Sequence, residues 1–402
     1  MEGAASRRAL GTLFGIVLLD LLGFGLVVPQ LGIYAQAYAA PPWLVGLLMA
    51  TYSLLQLLSA PVLGALSDRY GRRPVLLLSL GGSVVGYVLF AWADSLAWLF
   101  AARVLDGITG GNISTAQAYI ADVTTAESRA KGMGMVGAAF GLGFVLGPAV
   151  GGMLGAWGGN LAIGAAAAGL SALALLATWA WLPESRQQGA AAGERPSVRI
   201  VLAVLRLPGL GAALLLSLTF LWGFSMMEGT FSLFLVARHL GAPPGGALAP
   251  ELARRASWLS GWLFLAVGVV SAVVQGGLIG RLRARWGELR LAGAGLLLVG
   301  LGLAGIPAAP SYGWLFLPMA VLALGSALTS PSLSAWVSLR APADRQGEVL
   351  GAYQSMGSLG RLLGPASGGA LFSGAGAVAP FAVAAGMMVA GWGMLRRMRH
   401  TA

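Results

Sequence analysis

The chain has no cysteine, only two histidines (His239 and His400), and charge on just 10% of its 402 residues. Without cysteine there is no disulfide, thiolate zinc site or iron–sulfur cluster, and two imidazoles far apart in sequence offer little to a metal. No metal and no organic cofactor is expected. Soluble domains carry roughly 25% charged residues, so the shortage of charge excludes a soluble fold. Disorder is excluded from the other side, because 57% of the residues are apolar and disordered segments have low hydrophobicity. The 62 glycines lack the every-third-residue period of collagen. What is left is a chain that crosses a lipid bilayer many times. Its net charge of +11 is scattered in short clusters between apolar runs. No nucleic-acid partner is therefore expected, and a monomer is.

Apolar runs fall near 10–34, 44–66, 75–93, 96–121, 132–154 and 161–182, then 209–236, 256–279, 291–307, 313–339, 349–373 and 378–395. Each is long enough to span at about 20 residues. Separate, non-alternating spans must be helices, since each must satisfy its own backbone N–H groups inside the bilayer. The expected fold class is thus all-α, with twelve transmembrane helices. The stretch from Leu10 to Val28 after Arg7 and Arg8 resembles a secretory signal but is too long for its apolar region, and it reads as an uncleaved first span. If the N-terminus is cytoplasmic, the loops on that side hold 20 of the 25 Lys and Arg, whereas the other side has Arg238, Arg254 and Arg255. By the positive-inside rule both termini are cytoplasmic, and a bacterial inner membrane is the expected location.

The long polar connection over 183–208, rich in Gly, Pro and Arg, separates six spans in 1–182 from six in 209–402. It reads as a cytoplasmic linker between two halves. Sliding one half over the other by about 216 positions sets Gly64-Ala-Leu-Ser-Asp-Arg-Tyr-Gly71 on Gly280-Arg-Leu-Arg-Ala-Arg-Trp-Gly287, and Arg129 on Arg345. One position further on, Gly147-Pro-Ala-Val-Gly-Gly152 meets Gly364-Pro-Ala-Ser-Gly-Gly369. The halves are parallel repeats, and such repeats enclose a site near the bilayer midplane that opens alternately to each side.

Ionisable residues inside the spans are the candidate chemistry. A charge at mid-bilayer costs at least about 2.5–3.5 kcal/mol, so it persists only where paired or functional. Span four carries a polar stripe of Arg103, Asp106, Gly110, Ser114 and Gln117, whose spacing keeps one face of a helix. Arg103 and Asp106 either serve a proton pathway or merely neutralise each other at i,i+3. Asp20 lies about ten residues into span one, roughly 15 Å deep. Burial favours the neutral acid and a nearby arginine favours the carboxylate, so a change of surroundings lets Asp20 load and release a proton; the alternative is a carboxylate satisfied by backbone. Gly23, Gly25 and Pro29 make this span easy to break where it lines a cavity, with Gln30 and Tyr34 further along it.

In span seven Glu228 is surrounded by Phe220, Trp222, Phe224, Met226, Met227 and Phe231. Rings attract cations and methionine adapts its shape, which suits a large amphipathic cation; the same side chains suit packing or lipid contact equally well. Arg361 in span eleven either pairs with Glu228 or receives an anionic group. The substrate cavity is therefore assigned to Gln30, Tyr34, Gln117, Phe224, Met227, Glu228 and Arg361. Neither histidine stands near a nucleophile, and an enzyme is not expected.

Four motifs carry a family resemblance over nearly the whole chain. These are Gly64-x-Leu66-x-Asp68-Arg69-x-Gly71-Arg72-Arg73 after span two and Arg103-x-x-Asp106-Gly107 in span four. With them stand Gly143 to Gly152 in span five, including Gly147, Pro148, Gly151 and Gly152, and Asp20-Leu-Leu-Gly-Phe-Gly-Leu-Val-Val-Pro29 in span one. Together they resemble the major facilitator superfamily, and within it the twelve-span drug/proton antiporters close to the tetracycline efflux pumps. The resemblance implies a proton as coupling ion, with Asp20, Arg103 and Asp106 carrying it, and an exporter motif in span five. It also implies a conformational latch of Gly64, Asp68, Arg69, Gly71 and Arg72, in which Arg72 reaches Asp122 and Asp68 meets span eleven near Gly351. The three arginines of that loop also suit a purely topological role. An acidic residue typical of the pumps' span three is absent at Val84 to Tyr87, as is one in span nine at Leu291 to Val299, and Gly268 to Ser271 replaces a histidine in span eight. The implied function is proton-coupled export of amphipathic small molecules or drugs by alternating access. Arg361 leaves open export or flipping of lipid-like or anionic amphiphiles.

Overall fold

The computed structural model describes residues 2–124, 126–185, 198–207, 209–342 and 345–401, and every regular element among them is helical. In chain order these are α1 (Glu2–Ala37), α2 (Pro42–Tyr70), α3 (Arg72–Ala91), α4 (Leu96–Ile108), α5 (Asn112–Val123), α6 (Ala126–Trp181) and α7 (Val198–Leu205). The series continues with α8 (Leu210–His239), α9 (Pro250–Val273), α10 (Ile279–Trp286), α11 (Glu288–Ala308), α12 (Phe316–Arg340), α13 (Gln346–Ala375) and α14 (Ala379–Thr401). Half of the 183–208 connection, residues 186–197 and 208, lies outside the described residues.

Among the described residues, eight helical stretches are long and apolar enough to cross a bilayer. One of them, Gly132–Trp181, has 50 residues, enough for two crossings at about 20 each. It bends at Gly159, whose φ of 66° and ψ of −155° interrupt the helix, and the Asn160 amide ties the bend to the end of α3 by donating to the Ala93 carbonyl at 3.1 Å. Counting α4 with α5 as one crossing, and α13 and α14 as one each, makes the order of elements consistent with twelve. Tryptophans at helix ends, such as Trp92, Trp181 and Trp314, are exposed, as suits the bilayer interface.

The described residues group into two units. The first takes in Met1–Tyr38, Thr51–Arg195 and Ala249–Gly261, and the second Ala39–Ala50, Pro196–Leu248 and Trp262–Ala402. In the first, Leu13, Ile16, Val17 and Leu21 of α1 form a core with Leu76 and Leu80 of α3, Tyr119 and Ile120 of α5, and Ala139 and Ala174 of α6. In the second, Leu210, Ala213 and Leu214 of α8 pack with Trp336 and Val337 of α12, Val349 and Ala352 of α13, and Val204 of α7.

Glycine sets how close the helices come. A Cβ on Gly147 of α6 would stand 2.6 Å from the Gly25 Cα of α1, and one on Gly25 would stand 2.6 Å from the Gly143 carbonyl oxygen. In the second unit a Cβ on Gly364 of α13 would lie 2.7 Å from the Met226 backbone nitrogen of α8. The two Gly-Pro-x-x-Gly-Gly segments therefore do the same work in each repeat, bringing small-residue helices into backbone contact. A different demand falls on Gly71 and Gly287, which end the two copies of the loop signature at φ 103° and 75°, a region that side chains with a Cβ rarely adopt.

Gly147→Leu is expected to lower stability by about 1–3 kcal/mol, the range for overpacking a tight contact. The exposed helical Gly169 has open space around it, so Gly169→Ala should be neutral or slightly stabilising. Thermal unfolding of the two purified variants in detergent, followed by tryptophan fluorescence, checks the contrast.

Candidate functional site

Span four, expected as one continuous helix, is broken: α4 ends at Ile108 and α5 begins at Asn112. The break corrects the stripe. Arg103 and Asp106 on α4 are buried, but Ser114 on α5 is exposed and Gln117 half-buried. Asn112 and Thr115 turn inward in their place. The cause is local: Gly110 and Gly111 give little support to helix, and α5 restarts with a shifted face.

This break builds the polar centre of the first unit. Asn112 Nδ2 donates to Asp20 Oδ2 at 2.8 Å, joining α5 to α1. On α4, Arg103 Nη1 lies 3.2 Å from Asp106 Oδ2, and Ser83 of α3 donates its hydroxyl to Asp106 Oδ1 at 3.1 Å. The Arg103 guanidinium carbon stands 5.9 Å from the ring centroids of both Tyr52 and Tyr87, a cation–π arrangement. Asp20, Arg103 and Asp106 are 8%, 1% and 2% exposed. Despite the ion pair, no Arg103 nitrogen makes a well-formed hydrogen bond among the described residues, and none of these donates to the Asn112 Oδ1 acceptor.

The loop between α2 and α3 is a second polar cluster. Arg72 Nη1 pairs with Asp68 Oδ1 at 2.7 Å, one turn away, and its Nε with Asp122 Oδ2 of α5 at 2.9 Å, which is the contact the family resemblance implied. Ser67 accepts a further bond from Arg72 at 2.9 Å. Glu184 was missed by sequence reading, although an acid just after a Leu-Pro helix end was there to be seen. Its carboxylate accepts the backbone N–H groups of Arg72 and Arg73 at 2.8 and 3.1 Å, capping the start of α3, where a negative charge is favoured by the helix dipole. The Arg73 guanidinium in turn reaches the Thr178 and Trp179 carbonyls at the end of α6. Arg69 stays outside this network and lies over the Tyr70 ring at 5.2 Å. Gly64 has open space around its Cβ direction.

The remaining candidates are distributed as follows. Gln30 is fully buried and donates to Ser260 Oγ at 3.2 Å; Tyr34 is buried and donates to the Gly155 carbonyl at 3.3 Å. In the second unit Met227 is buried, while Phe224, Glu228 and Arg361 are half-buried. Arg361 donates to Ser358 Oγ at 3.0 Å and acts electrostatically on Glu228. Trp222 Nε1 donates to Ser367 Oγ at 2.9 Å. Gly143, Gly147 and Gly151 pack on α1, Gly152 packs on Gly261 of α9, and Pro148 lies within α6. No group of three or more His, Asp or Glu suited to a metal occurs among the described residues.

Helices of bilayer length, internal repeats and buried intramembrane charges define an integral membrane transporter. The chain belongs to the Major Facilitator Superfamily, whose family model matches residues 13–365 and 259–401. It is 33% identical to the tetracycline resistance protein, class C, of Escherichia coli over 90% of this chain and 88% of that one. It is 30% identical to major facilitator superfamily domain-containing protein 10 of Bos taurus over 99% of this chain and 94% of that one. Among solved structures it resembles the human organic anion transporter MFSD10, with a TM-score of 0.71 and 28% identity over 97% of this chain and 99% of the other.

The cluster around Arg72 predicts how the loop responds to charge removal. Hydrogen bonds to charged groups contribute about 1.5–3 kcal/mol each, so Glu184→Gln and Asp68→Asn should each speed amide exchange at the start of α3. Equilibrium ligand affinity should be unchanged, because neither residue is near the polar centre. Hydrogen–deuterium exchange and ligand binding on the same preparations check both halves of this expectation.

Proposed function

We propose that the chain is a proton-coupled exporter of amphipathic small molecules, working by alternating access in a bacterial inner membrane with both termini cytoplasmic. The observation that carries this reading is the enclosed set of Asp20, Asn112, Arg103 and Asp106 in the first unit. Two carboxyl groups and one guanidinium held away from water form a device whose charge changes only by moving a proton. The similarity to tetracycline resistance proteins of Escherichia coli supports drug export. On this reading 1–182 and 209–402 are the two repeats of an alternating-access carrier. Asp68, Arg72, Asp122 and Glu184 then act as a cytoplasmic latch for one of the end states. The cavity that takes the substrate is formed by Glu228, Phe224, Met227 and Arg361, and the working unit is a monomer.

The roles of the two membrane carboxylates separate in one experiment. In proteoliposomes with an imposed pH gradient, Asp20→Asn should reduce proton-driven uptake of a lipophilic cationic dye at least about tenfold, since a neutral amide cannot ionise, while binding and exchange survive. Glu228→Gln should instead weaken dye binding and leave coupling in place. Normal gradient-driven transport by Asp20→Asn alongside uncoupled Glu228→Gln would exchange the two assignments, and full activity of both would remove the proton-coupled reading.

A second reading, export of anionic amphiphiles, is favoured by Arg361 beside Ser358 and Glu228 in the second unit. The similarity to a human organic anion transporter supports it. On this reading Arg361→Ala lowers uptake of a carboxylated dye about tenfold or more while sparing the cationic one. Equal effects on both dyes would assign Arg361 to packing.

A further inference from the structure

Asp20, Arg103 and Asp106 form a closed account of charge. The side chains that face Asp20 are Asn112 from α5 and, acting through space, Asp106 from α4. Tyr87 from α3 feels Asp20, Asp106 and Arg103 alike. Tyr52 from α2 contacts the set through Arg103, and α6 brings the Ala167 carbonyl and the Ser171 hydroxyl, neither of them titratable, to Gly23, where the Tyr87 ring also lies. Within this enclosure there is one permanent positive charge and there are two acids. With both acids ionised the set carries a net negative charge away from water, which the bilayer interior opposes. One added proton makes it neutral.

Hydrogen bonding decides which acid holds that proton. Asp106 receives the Ser83 hydroxyl and the Arg103 cation, both of which favour the carboxylate. Asp20 receives only the Asn112 amide. The same amide leaves its oxygen buried without a donor among the described residues, and an ionised carboxylate cannot supply one, because it only accepts. A carboxylic acid can, because its O–H donates. We propose that Asp106 is the resident counter-ion of Arg103, and that it thereby leaves Asp20, held by Asn112, as the site of a single exchangeable proton. Asp106 is on this view a positioning residue that sets the proton count without carrying the proton. The consequence for coupling rests on the exporter reading above, whereas the proton count does not.

The count is read directly by infrared difference spectroscopy on the purified full-length protein in lipid nanodiscs at neutral pH, from the stretch of protonated carboxyl groups and its shift in heavy water. A Glu228→Gln background removes the half-buried membrane acid of the second unit. The parent should show one protonated carboxyl. Asp20→Asn and Asp106→Asn should each abolish it, the second because Asp20 becomes the only acid facing Arg103 and stays ionised. Arg103→Gln should double it, and the double variant Arg103→Gln/Asp106→Asn should restore a single band. Asp106→Glu, which keeps the charge, should retain one band. The charge-balanced double variant and Asp106→Glu keep the test decisive where Asp106→Asn alone does not fold. A band that persists in Asp106→Asn, or is unchanged in Arg103→Gln, overturns the proposal, as does a parent with no protonated carboxyl. Dye-driven proton flux in proteoliposomes, measured with Glu228 intact in the parent and the variants alike and expected to fall at least about tenfold in Asp106→Asn, separates the two claims. Flux in the parent with the wrong band pattern defeats the counter-ion and leaves the exporter; the right pattern with no flux in the parent does the reverse.

Discussion

A guanidinium that is 1% exposed inside a membrane-spanning unit is the constraint around which the first unit is organised. Removing such a charge from water costs several kcal/mol even after relaxation, and nothing in lipid repays it. The surrounding helices do so. Asp106 supplies the opposite charge from one turn along α4, Tyr52 and Tyr87 supply ring faces from α2 and α3, and Ser83 holds the carboxylate in place. Each of these requires its helix at one depth and one rotation. The need to satisfy Arg103 thus specifies the packing of α2, α3 and α4 more narrowly than apolar contact alone would, because lipid tails compete equally well for apolar side chains.

The second organising feature is the use of glycine to bring backbones together. Gly143, Gly147 and Gly151 admit α1 to the face of α6, and Gly364 and Gly368 admit α8 to α13. Helix association in a bilayer gains from close van der Waals contact and not from expulsion of water, so small residues at fixed intervals act as docking surfaces. Because Asp20 lies on α1 and Glu228 on α8, the same contacts position the two membrane carboxylates within their units. The loop cluster of Asp68, Arg72, Asp122 and Glu184 does for the α2–α3 connection what the glycines do in the spans: it fixes a backbone, here with charge-assisted hydrogen bonds.

Much of this was legible in the chain. Low charge, long apolar runs and a repeat at about 216 positions were enough for an all-α membrane fold with repeated halves, because bilayer thickness converts length into topology. The rarity of charge inside the spans singled out Asp20, Arg103, Asp106, Glu228 and Arg361, and the loop signature singled out Asp68 and Arg72. The pairing of Arg72 with Asp122 was implied by family resemblance and is present at 2.9 Å.

Sequence by itself determined that the chain is a helical membrane protein and which side chains are too costly to lie in a bilayer without a purpose, since both follow from the transfer energies of residues taken one at a time. Only the tertiary structure decided who meets whom. The break at Thr109–Gly111 turned Asn112 toward Asp20 and left Ser114 exposed, against a periodicity that assumed an unbroken helix. Glu184 reached the start of α3 across more than a hundred residues, and Gln30 went to Ser260 instead of open space. Such contacts depend on the rotation and depth of separate helices, which are settled by packing of whole surfaces, and no local pattern along one segment encodes them.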